Sequence, residues 1–475
     1  MKLIDNLNKD MLIYGFGGIS ARAFSFLLLP VYTRYLTTTE YGTFETLTVI
    51  SGLIGAIFLM GLTDYQSINF NKNNGNKKHR KEVISSILQW RLICGISCII
   101  LATVLSPIMN NLFFQGSLSF EYFFLAFSSI LFTQIMYQFA DIFRLSFKPW
   151  SYICLILFQT FVSNLIILVL IIIYGKGIWG FILGSTLSSL LVGIIGCFLL
   201  KKYIDIQKFY YKNFSNIIRF GFPLIPVYMA EFIMGFIDRL FIAYYHGQDD
   251  VGIFSIGSRF SIILLVFIDG FRKAWWPFSM KKLHSKNAET FFRFSALWYF
   301  NLVSIGVMFL TLFSPSLIHL MIHPTFYEGW TVVGPLAWQF AFLGGFIIVA
   351  GGIWKTKKTY LQLPCMIFII IFSVFLNWLL VPSFGILGAA FSTALTYFFW
   401  ILLTIIIGEY IWKIGFHYIR ITIPVILSFI QINWVIFVDQ GELKFVGLLL
   451  TFIFSLLCFV NAMIKYENKK LLLKF

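Results

Sequence analysis

The sequence predicts an all-α integral membrane protein of about fourteen transmembrane helices, arranged as two six-helix lobes related by a parallel repeat, plus two C-terminal helices. Composition is the first observation behind this fold class. Hydrophobic residues make up 59% of the chain and charged residues 12%, about half the charged fraction of an ordinary soluble protein. The second observation is that the apolar residues form long continuous runs, which indicate helices and not the short alternating segments of a membrane β-barrel.

Fourteen runs are long enough to cross a hydrocarbon core of about 30 Å. They lie at 11–31, 43–63, 84–105, 119–140, 150–173, 178–200, 217–245, 251–269, 294–313, 330–353, 361–380, 384–407, 417–438 and 443–463. The opening residues MKLIDNLNKD mix basic and acidic side chains and lead to no small-residue cleavage site. We therefore expect no cleaved signal peptide, so the first run stays in the protein.

The positive charge predicts the orientation of these spans. The N-terminus, the C-terminus and the loops after even-numbered spans carry 29 of the 36 Lys and Arg residues, counting Arg219 and Arg420 at the adjoining span ends. The loops after odd-numbered spans carry only three, counting Lys444 at the start of span fourteen. Because cytoplasmic loops are enriched in Lys and Arg, both termini are predicted to be cytoplasmic. The net charge of +16 is then explained by topology and by attraction to anionic membrane lipids, and no nucleic-acid partner is required.

The two halves of the chain resemble each other. YGFGGIS and EYGTFETL near the start correspond to FGFPLIP and DVGIFSIG in the second half, and an intramembrane asparagine, Asn164 or Asn377, precedes a turn late in each half. Each repeat has six spans, an even number, so both copies share one orientation and should face each other across a cleft. The predicted domains are an N-lobe (1–200), a cytoplasmic linker (201–216), a C-lobe (217–410) and a C-terminal segment with two further spans (411–475).

Four arginines lie within predicted spans and away from the first turn of the span, and they are the main candidates for function: Arg22, Arg91, Arg239 and Arg259. An arginine at the centre of a span costs about 2.5–3.5 kcal/mol on the insertion scale, so each should face the bundle interior or a wet cavity. Gly15, Gly18, Arg22 and Ser25 lie within about 80° of one another around a helix, forming a small and polar stripe. Gly252, Ser255 and Arg259 form a similar stripe on span eight.

Acidic residues leave an alternative open. Glu231 and Asp238 are seven residues apart on span seven and share a helix face, with Arg239 adjacent to Asp238. They are candidates either for coupling transport to an ion or for structural ion pairs with the arginines. Arg91 lies about one turn from the cytoplasmic end of span three, where its side chain could also reach the interface.

Several enzymatic signals are absent from the sequence. It contains no GxxxxGK[ST] run, so we expect no P-loop ATPase. His319 and His323 are four residues apart, but HLMIH lacks the glutamate of the HExxH metalloprotease motif. The six cysteines all lie in or beside apolar runs and are interpreted as small apolar residues. We predict no metal and no cofactor.

The motifs also resemble those of a known family. YGFGGISARAFSFLLLPVYTRYLTTTEYGTFETL, DRLFIAYYHGQDDVGIFSIGSRF and AWWPF, spread over about residues 8–410, are similar to the bacterial polysaccharide flippases that move lipid-linked O-antigen or capsule repeat units. These belong to the multidrug/oligosaccharidyl-lipid/polysaccharide exporter superfamily. The resemblance implies translocation of an undecaprenyl-diphosphate-linked oligosaccharide from the inner to the outer leaflet by alternating access. It places the cavity cations at Arg22, with Arg239 and Arg259 in the second lobe.

We expect the diphosphate to bind these arginines, with Arg91 as a fourth candidate, because guanidinium groups match phosphate geometry. Glycosyltransferases and a polysaccharide polymerase are the expected partners. One alternative is a peptidoglycan-precursor (lipid II-type) flippase, whose substrate has the same anchor. Another is a cation-coupled multidrug exporter of the same superfamily, which should place carboxylates at the heart of its lobes, whereas the deepest charges here are largely arginines. A membrane glycosyltransferase or polymerase is a less favoured alternative, because it would need a sizeable outer loop and the predicted connections are short.

Overall fold

The computed structural model describes residues 17–70, 76–205 and 208–437, together with the isolated positions 72, 449, 453 and 456. Every regular element within these residues is helical, and they contain no strand. The predicted all-α class is therefore confirmed.

Sixteen helices are labelled in chain order. They are α1 (17–27), α2 (Leu29–Tyr35), α3 (Thr38–Leu59), α4 (Leu62–Asn69), α5 (Lys77–Phe114), α6 (Phe120–Leu145), α7 (Pro149–Leu168), α8 (Gly177–Leu199), α9 (Tyr211–Gly221), α10 (Ile225–Tyr245), α11 (Gln248–Lys282), α12 (Ala288–Met321), α13 (Trp330–Val349), α14 (Gly351–Thr356), α15 (Gln362–Ile411) and α16 (Tyr418–Phe437). Short 3-10 turns and one π-helical turn after α7 complete the described regular structure.

Within the described residues, ten helices are long and apolar enough to cross a membrane, or eleven if α3 and α4 are counted as one bent span. Predicted spans eleven and twelve both lie in α15, where Gly385 has φ 53° and ψ −131° and breaks the helix between them. Span one begins before residue 17, and span fourteen falls almost entirely outside the described residues. The count of fourteen spans stays a prediction.

The break between α3 and α4 lies at two consecutive residues in the left-handed region. Met60 has φ 43° and Gly61 has φ 62°, and the latter conformation favours glycine. The side chains of Leu224 and Tyr228 pack against Gly61, and the Tyr228 hydroxyl donates a hydrogen bond to Asp64 on α4. The bent second span is therefore held against α10.

The chain divides into two compact units, Met1–Gly252 and Ile253–Phe475. In the first unit α5, α6 and α8 enclose a core that includes Ile84, Phe139 and Val192, all fully buried. Helix α10 packs on α3 in the same unit, so the boundary between units falls within α11 and not in the linker 201–216. The lobe boundaries derived from the internal repeat stay a prediction.

The second unit is built around α13, which packs against α12 and α15, while α16 packs on α12. Trp338 on α13 is fully buried and stacks on Phe429 of α16, with ring centroids 5.4 Å apart. The Tyr299 hydroxyl donates to the carbonyl of Ala341 at 2.8 Å, which satisfies a buried polar group between α12 and α13.

The two asparagines of the predicted repeat have equivalent local geometry. Asn164 donates from Nδ2 to the Thr160 carbonyl at 2.6 Å, and Asn377 donates in the same way to the Ser373 carbonyl at 2.9 Å. Both are buried, and each lies one to two turns before a break in helical geometry. Asn69, Asn301 and Asn433 make the same side-chain bond to the carbonyl four residues earlier, so this geometry does not test the repeat, which stays a prediction.

Candidate functional site

Helix α1 carries the first candidate arginine. Gly17 packs against the side chain of Ile153, so this side of α1 lies against α7. Its neighbour Gly18 has no atom within 4 Å of the position that a Cβ would occupy, and Arg22, one turn further along, is exposed. The described part of the predicted stripe is therefore an accessible surface of α1, with a guanidinium group on it.

A buried charge cluster joins α10 to α3. Arg239 lies with Nη1 3.2 Å from Oδ1 of Asp238 and with Nε 3.7 Å from Oε2 of Glu45. The backbone N–H of Arg239 also donates to Asp238 Oδ1 at 2.8 Å, and the Phe236 ring lies 5.3 Å from the guanidinium carbon. All three charged side chains are buried, so the ion pairs between them compensate charges that are shielded from water.

The structure separates the two acidic candidates of span seven. Asp238 is buried in the cluster with Arg239, whereas Glu231, two turns earlier on α10, is exposed. Sequence analysis did not select Glu45, although this glutamate lies inside predicted span two and would have been recognised as an intramembrane carboxylate there.

Glu45 also changes the balance of buried charge. Among the described residues, the buried charged side chains are three carboxylates and two arginines: Glu45, Asp141, Asp238, Arg91 and Arg239. Burial within the protein therefore does not favour arginines over carboxylates, and it gives no argument against a cation-coupled transporter. The burial of Glu45 and Asp141 depends on which helices pack over them, which the sequence does not show.

Helix α11 carries the last candidate arginine. Near its start, α11 crosses α3, with Gly252 against Gly42. The two helices are so close there that a Cβ on Gly42 would overlap backbone atoms of Gln248 and Gly252. Gly252 is thus a helix-packing position and does not extend an open stripe. Ser255 is fully buried and Arg259, one turn later, is half-buried.

Asp249, in the first turn of α11, accepts hydrogen bonds from the Thr38 and Thr39 hydroxyls at the start of α3. This carboxylate therefore helps to hold the start of α11 against α3. Both contacts lie in the first unit, beside the crossing of Gly42 and Gly252.

Arg91 lies inside the first unit, apart from the Arg239 cluster. It is 4% exposed, and Nη1 donates to the main-chain oxygen and to Oε1 of Gln134 at 2.7 and 3.0 Å. Nη2 donates to the Thr63 hydroxyl at 3.3 Å. The hydrogen-bond acceptors of Arg91 are all neutral, whereas Arg239 lies beside two carboxylates.

No group of three or more His, Cys, Asp or Glu side chains that could hold a metal ion occurs among the described residues.

This fold is that of known membrane transporters. It matches the lipid II flippase MurJ in an inward closed conformation with a TM-score of 0.70, at 14% identity, over 96% of this chain and 99% of that one. It matches an inward-facing multidrug resistance MATE family transporter with a TM-score of 0.66, at 15% identity, over 84% of this chain and 94% of that one. The protein is a multi-pass membrane protein with a transporter fold.

Its family is defined by sequence. Residues 7–281 match the model of the family described as polysaccharide biosynthesis protein, and the chain belongs to that family. It is also 26% identical, over 58% of its length and 67% of the relative, to a Haemophilus influenzae protein named "Lsg locus putative protein 1". A second relative from the same organism, an uncharacterized membrane protein, is 28% identical over 22% of this chain and 26% of its own length. The resemblance to polysaccharide flippases seen in the sequence is confirmed.

Proposed function

We propose that this protein moves undecaprenyl-diphosphate-linked oligosaccharide repeat units from the inner to the outer leaflet of the bacterial cytoplasmic membrane, for surface polysaccharide biosynthesis. The observation that carries the proposal is membership of the polysaccharide biosynthesis family in a chain with the MurJ and MATE fold. The protein acts as a secondary transporter and catalyses no covalent chemistry. Its two lobes, 1–200 and 217–410, open alternately to the two sides of the membrane.

The diphosphate is bound first by Arg22. This guanidinium is accessible on α1, and planar guanidinium groups bind phosphate oxygens through paired hydrogen bonds. Arg259 supplies a second cation from α11. Arg239 contributes only when its ion pairs with Asp238 and Glu45 rearrange, because those carboxylates already occupy it in this conformation. The substrate role predicted for Arg91 is the weakest, since its donors already bind Gln134 and Thr63.

The membrane potential contributes to the driving force. Moving one negative charge outward gains about 2.3 kcal/mol per 100 mV when the interior is negative. A diphosphate with about two charges therefore gains roughly 4–5 kcal/mol per 100 mV, without ATP.

An inward ion flux could add to this driving force through the buried carboxylate Asp238. Its position beside Arg239 and Glu45 links the charge state of this carboxylate to the packing of α10 on α3. Glu231 is an exposed second candidate for ion coupling. Both termini lie in the cytoplasm, where glycosyltransferases assemble the substrate, and a polymerase uses the translocated unit on the other side.

A lipid II-type flippase is the second candidate. The fold match to MurJ over nearly the whole of both chains favours it, and both substrates share the prenyl diphosphate. A cation-coupled multidrug exporter is the third, favoured by the match to MATE transporters and by the buried carboxylates. Complementation separates the three: this chain should restore surface polysaccharide in a strain lacking its repeat-unit flippase, and should not replace a lipid II flippase or confer drug resistance.

The diphosphate role is tested by substituting Arg22 and Arg259 with Ala, with the exposed Arg219→Ala as the matched control. Loss of a hydrogen-bonded charge of this kind costs about 1.5–3 kcal/mol, so surface polysaccharide should fall roughly 10- to 100-fold at normal membrane levels of protein. Arg22→Lys should restore only part of the activity, because Lys keeps the charge but not the paired donors. Unchanged polysaccharide in both Ala variants would exclude the diphosphate role.

A further inference from the structure

A small cavity lies in the first unit between α3, α5 and α6. Its volume is about 30 Å³, and its lining includes Gly55 on α3, Arg91, Cys94 and Cys98 on α5, and Leu131 and Gln134 on α6. The space is sufficient for one or two water-sized species and far too small for a diphosphate. The wall is apolar apart from Arg91, Gln134 and the two thiols.

Arg91 brings a charge to this cavity. Its guanidinium is almost fully buried, and its three hydrogen bonds go to the neutral groups of Gln134 and Thr63. The Nε atom is buried without a hydrogen-bond partner. Within the described ranges no carboxylate lies within ion-pair distance of Arg91, and Asp141, whose charge acts on it, is itself paired with Arg144 at 2.8 Å.

A buried arginine in this setting requires compensation. A guanidinium group does not lose its proton in proteins, so it cannot become neutral as a buried lysine or carboxylic acid can. Neutral acceptors solvate its charge but do not balance it, and a buried ion without a counter-charge is costly. Water in the cavity would leave the same net charge, whereas one monovalent anion would cancel it.

We propose that this cavity binds a single small monovalent inorganic anion, held by the Arg91 guanidinium, with chloride as the probe. The free Cys94 and Cys98 thiols, both buried in the same wall, are weak hydrogen-bond donors that can also face the anion. The site is separate from the proposed diphosphate contacts, so it does not depend on the proposed function.

The position of Arg91 gives the anion a structural consequence. Arg91 on α5 joins Gln134 on α6 to Thr63 on α4, just after the break at Met60 and Gly61. Neutralising Arg91 therefore stabilises the packing of the broken second span on α5 and α6. The bound anion should raise the thermal stability of the whole chain, because it binds the folded state and not the unfolded one.

The test is a chloride titration of the purified full-length protein in detergent, at constant ionic strength, with gluconate as the replacing anion. Gluconate is too large for a cavity of about 30 Å³. We expect the unfolding midpoint to rise by about 2 °C for each tenfold increase in chloride above the dissociation constant. Arg91→Gln should abolish the rise, whereas Arg219→Gln, which removes an exposed arginine outside the cavity, should keep it.

Gly55→Ala provides a second variant that keeps the charge and the fold. A Cβ there would meet only the Ile130 side chain, at 3.1 Å, and would fill much of the cavity. This variant should unfold at a normal temperature in gluconate and should lose the chloride response. A chloride-insensitive wild type, or a response retained in both Arg91→Gln and Gly55→Ala, would overturn the anion site.

Discussion

At the residue scale, the account depends on the charges inside the first unit. The sequence shows that Asp238 and Arg239 are adjacent within a span, and this part of the cluster could be predicted. Glu45 could not be assigned to this cluster from the sequence, because its ion pair with Arg239 forms only where α10 packs on α3. Local periodicity does not show which helices pack together. The same reason explains why Glu231, on the predicted shared face, is exposed while Asp238 is buried.

Removing the charge of Glu45 should destabilise the protein strongly. Breaking a buried ion pair by changing one partner costs about 3–5 kcal/mol, since the other charge stays buried with less compensation. We expect Glu45→Gln to lower the free energy of unfolding by this order, measured by denaturant unfolding in detergent. The exposed Glu231→Gln is the matched control and should change it by less than about 0.5 kcal/mol.

A double-mutant cycle separates the ion pair from simple packing. The combined Glu45→Gln and Arg239→Gln variant should lose less stability than the sum of the two single losses, by an interaction energy of about 1–3 kcal/mol. The reason is that the double variant removes both charges of this pair, whereas each single variant leaves one of them buried without the other; the charge of Asp238 is common to the Arg239→Gln and double variants. Strictly additive losses would show that Glu45 and Arg239 do not interact in the folded protein.

At the element scale, helix positions follow the sequence closely and helix breaks do not. Most predicted spans coincide with a described helix, because long apolar runs have few alternatives to helix in a membrane. The break at Met60 and the joining of two predicted spans in α15 around Gly385 depend on backbone conformation, which hydropathy does not report. The internal repeat aligns EYG (40–42) with DVG (250–252). It does not predict that the glycines of these two segments, Gly42 and Gly252, contact each other.

The crossing of α3 and α11 should not tolerate a methyl group. A Cβ on Gly252 would overlap the main-chain oxygen of Thr38, and backbone atoms cannot move aside as a flexible side chain can. Gly252→Ala should therefore lower the free energy of unfolding by about 1–3 kcal/mol, the usual cost of overpacking.

Gly270→Ala in the same helix is the matched control for this change, since a Cβ at Gly270 meets no atom within 4 Å. It should be neutral or stabilising by up to about 1 kcal/mol, because alanine favours helix more than glycine does. Equal effects of the two substitutions in denaturant unfolding would contradict the close helix crossing.

At the scale of the whole molecule, composition and charge distribution were enough to predict a helical membrane protein, and the motifs were enough to predict its family. The observed units divide within α11, whereas the sequence repeat divides the chain at the linker 201–216. The two divisions differ because a repeat reflects similarity along the sequence, whereas a compact unit reflects which helices pack together. Helix α10 packs on α3 and therefore belongs to the first unit.

The central claim is that this protein transfers a lipid-linked glycan to the outer leaflet. It is tested most directly by measuring how much lipid-linked repeat unit a membrane-impermeant oxidant such as periodate reaches in spheroplasts of a bacterial host that makes that unit but lacks its polymerase. With the wild-type protein most of the glycan should be accessible. With Arg22→Ala or without the protein it should accumulate in a protected, inner-leaflet pool. Equal accessibility with and without the protein would contradict the account.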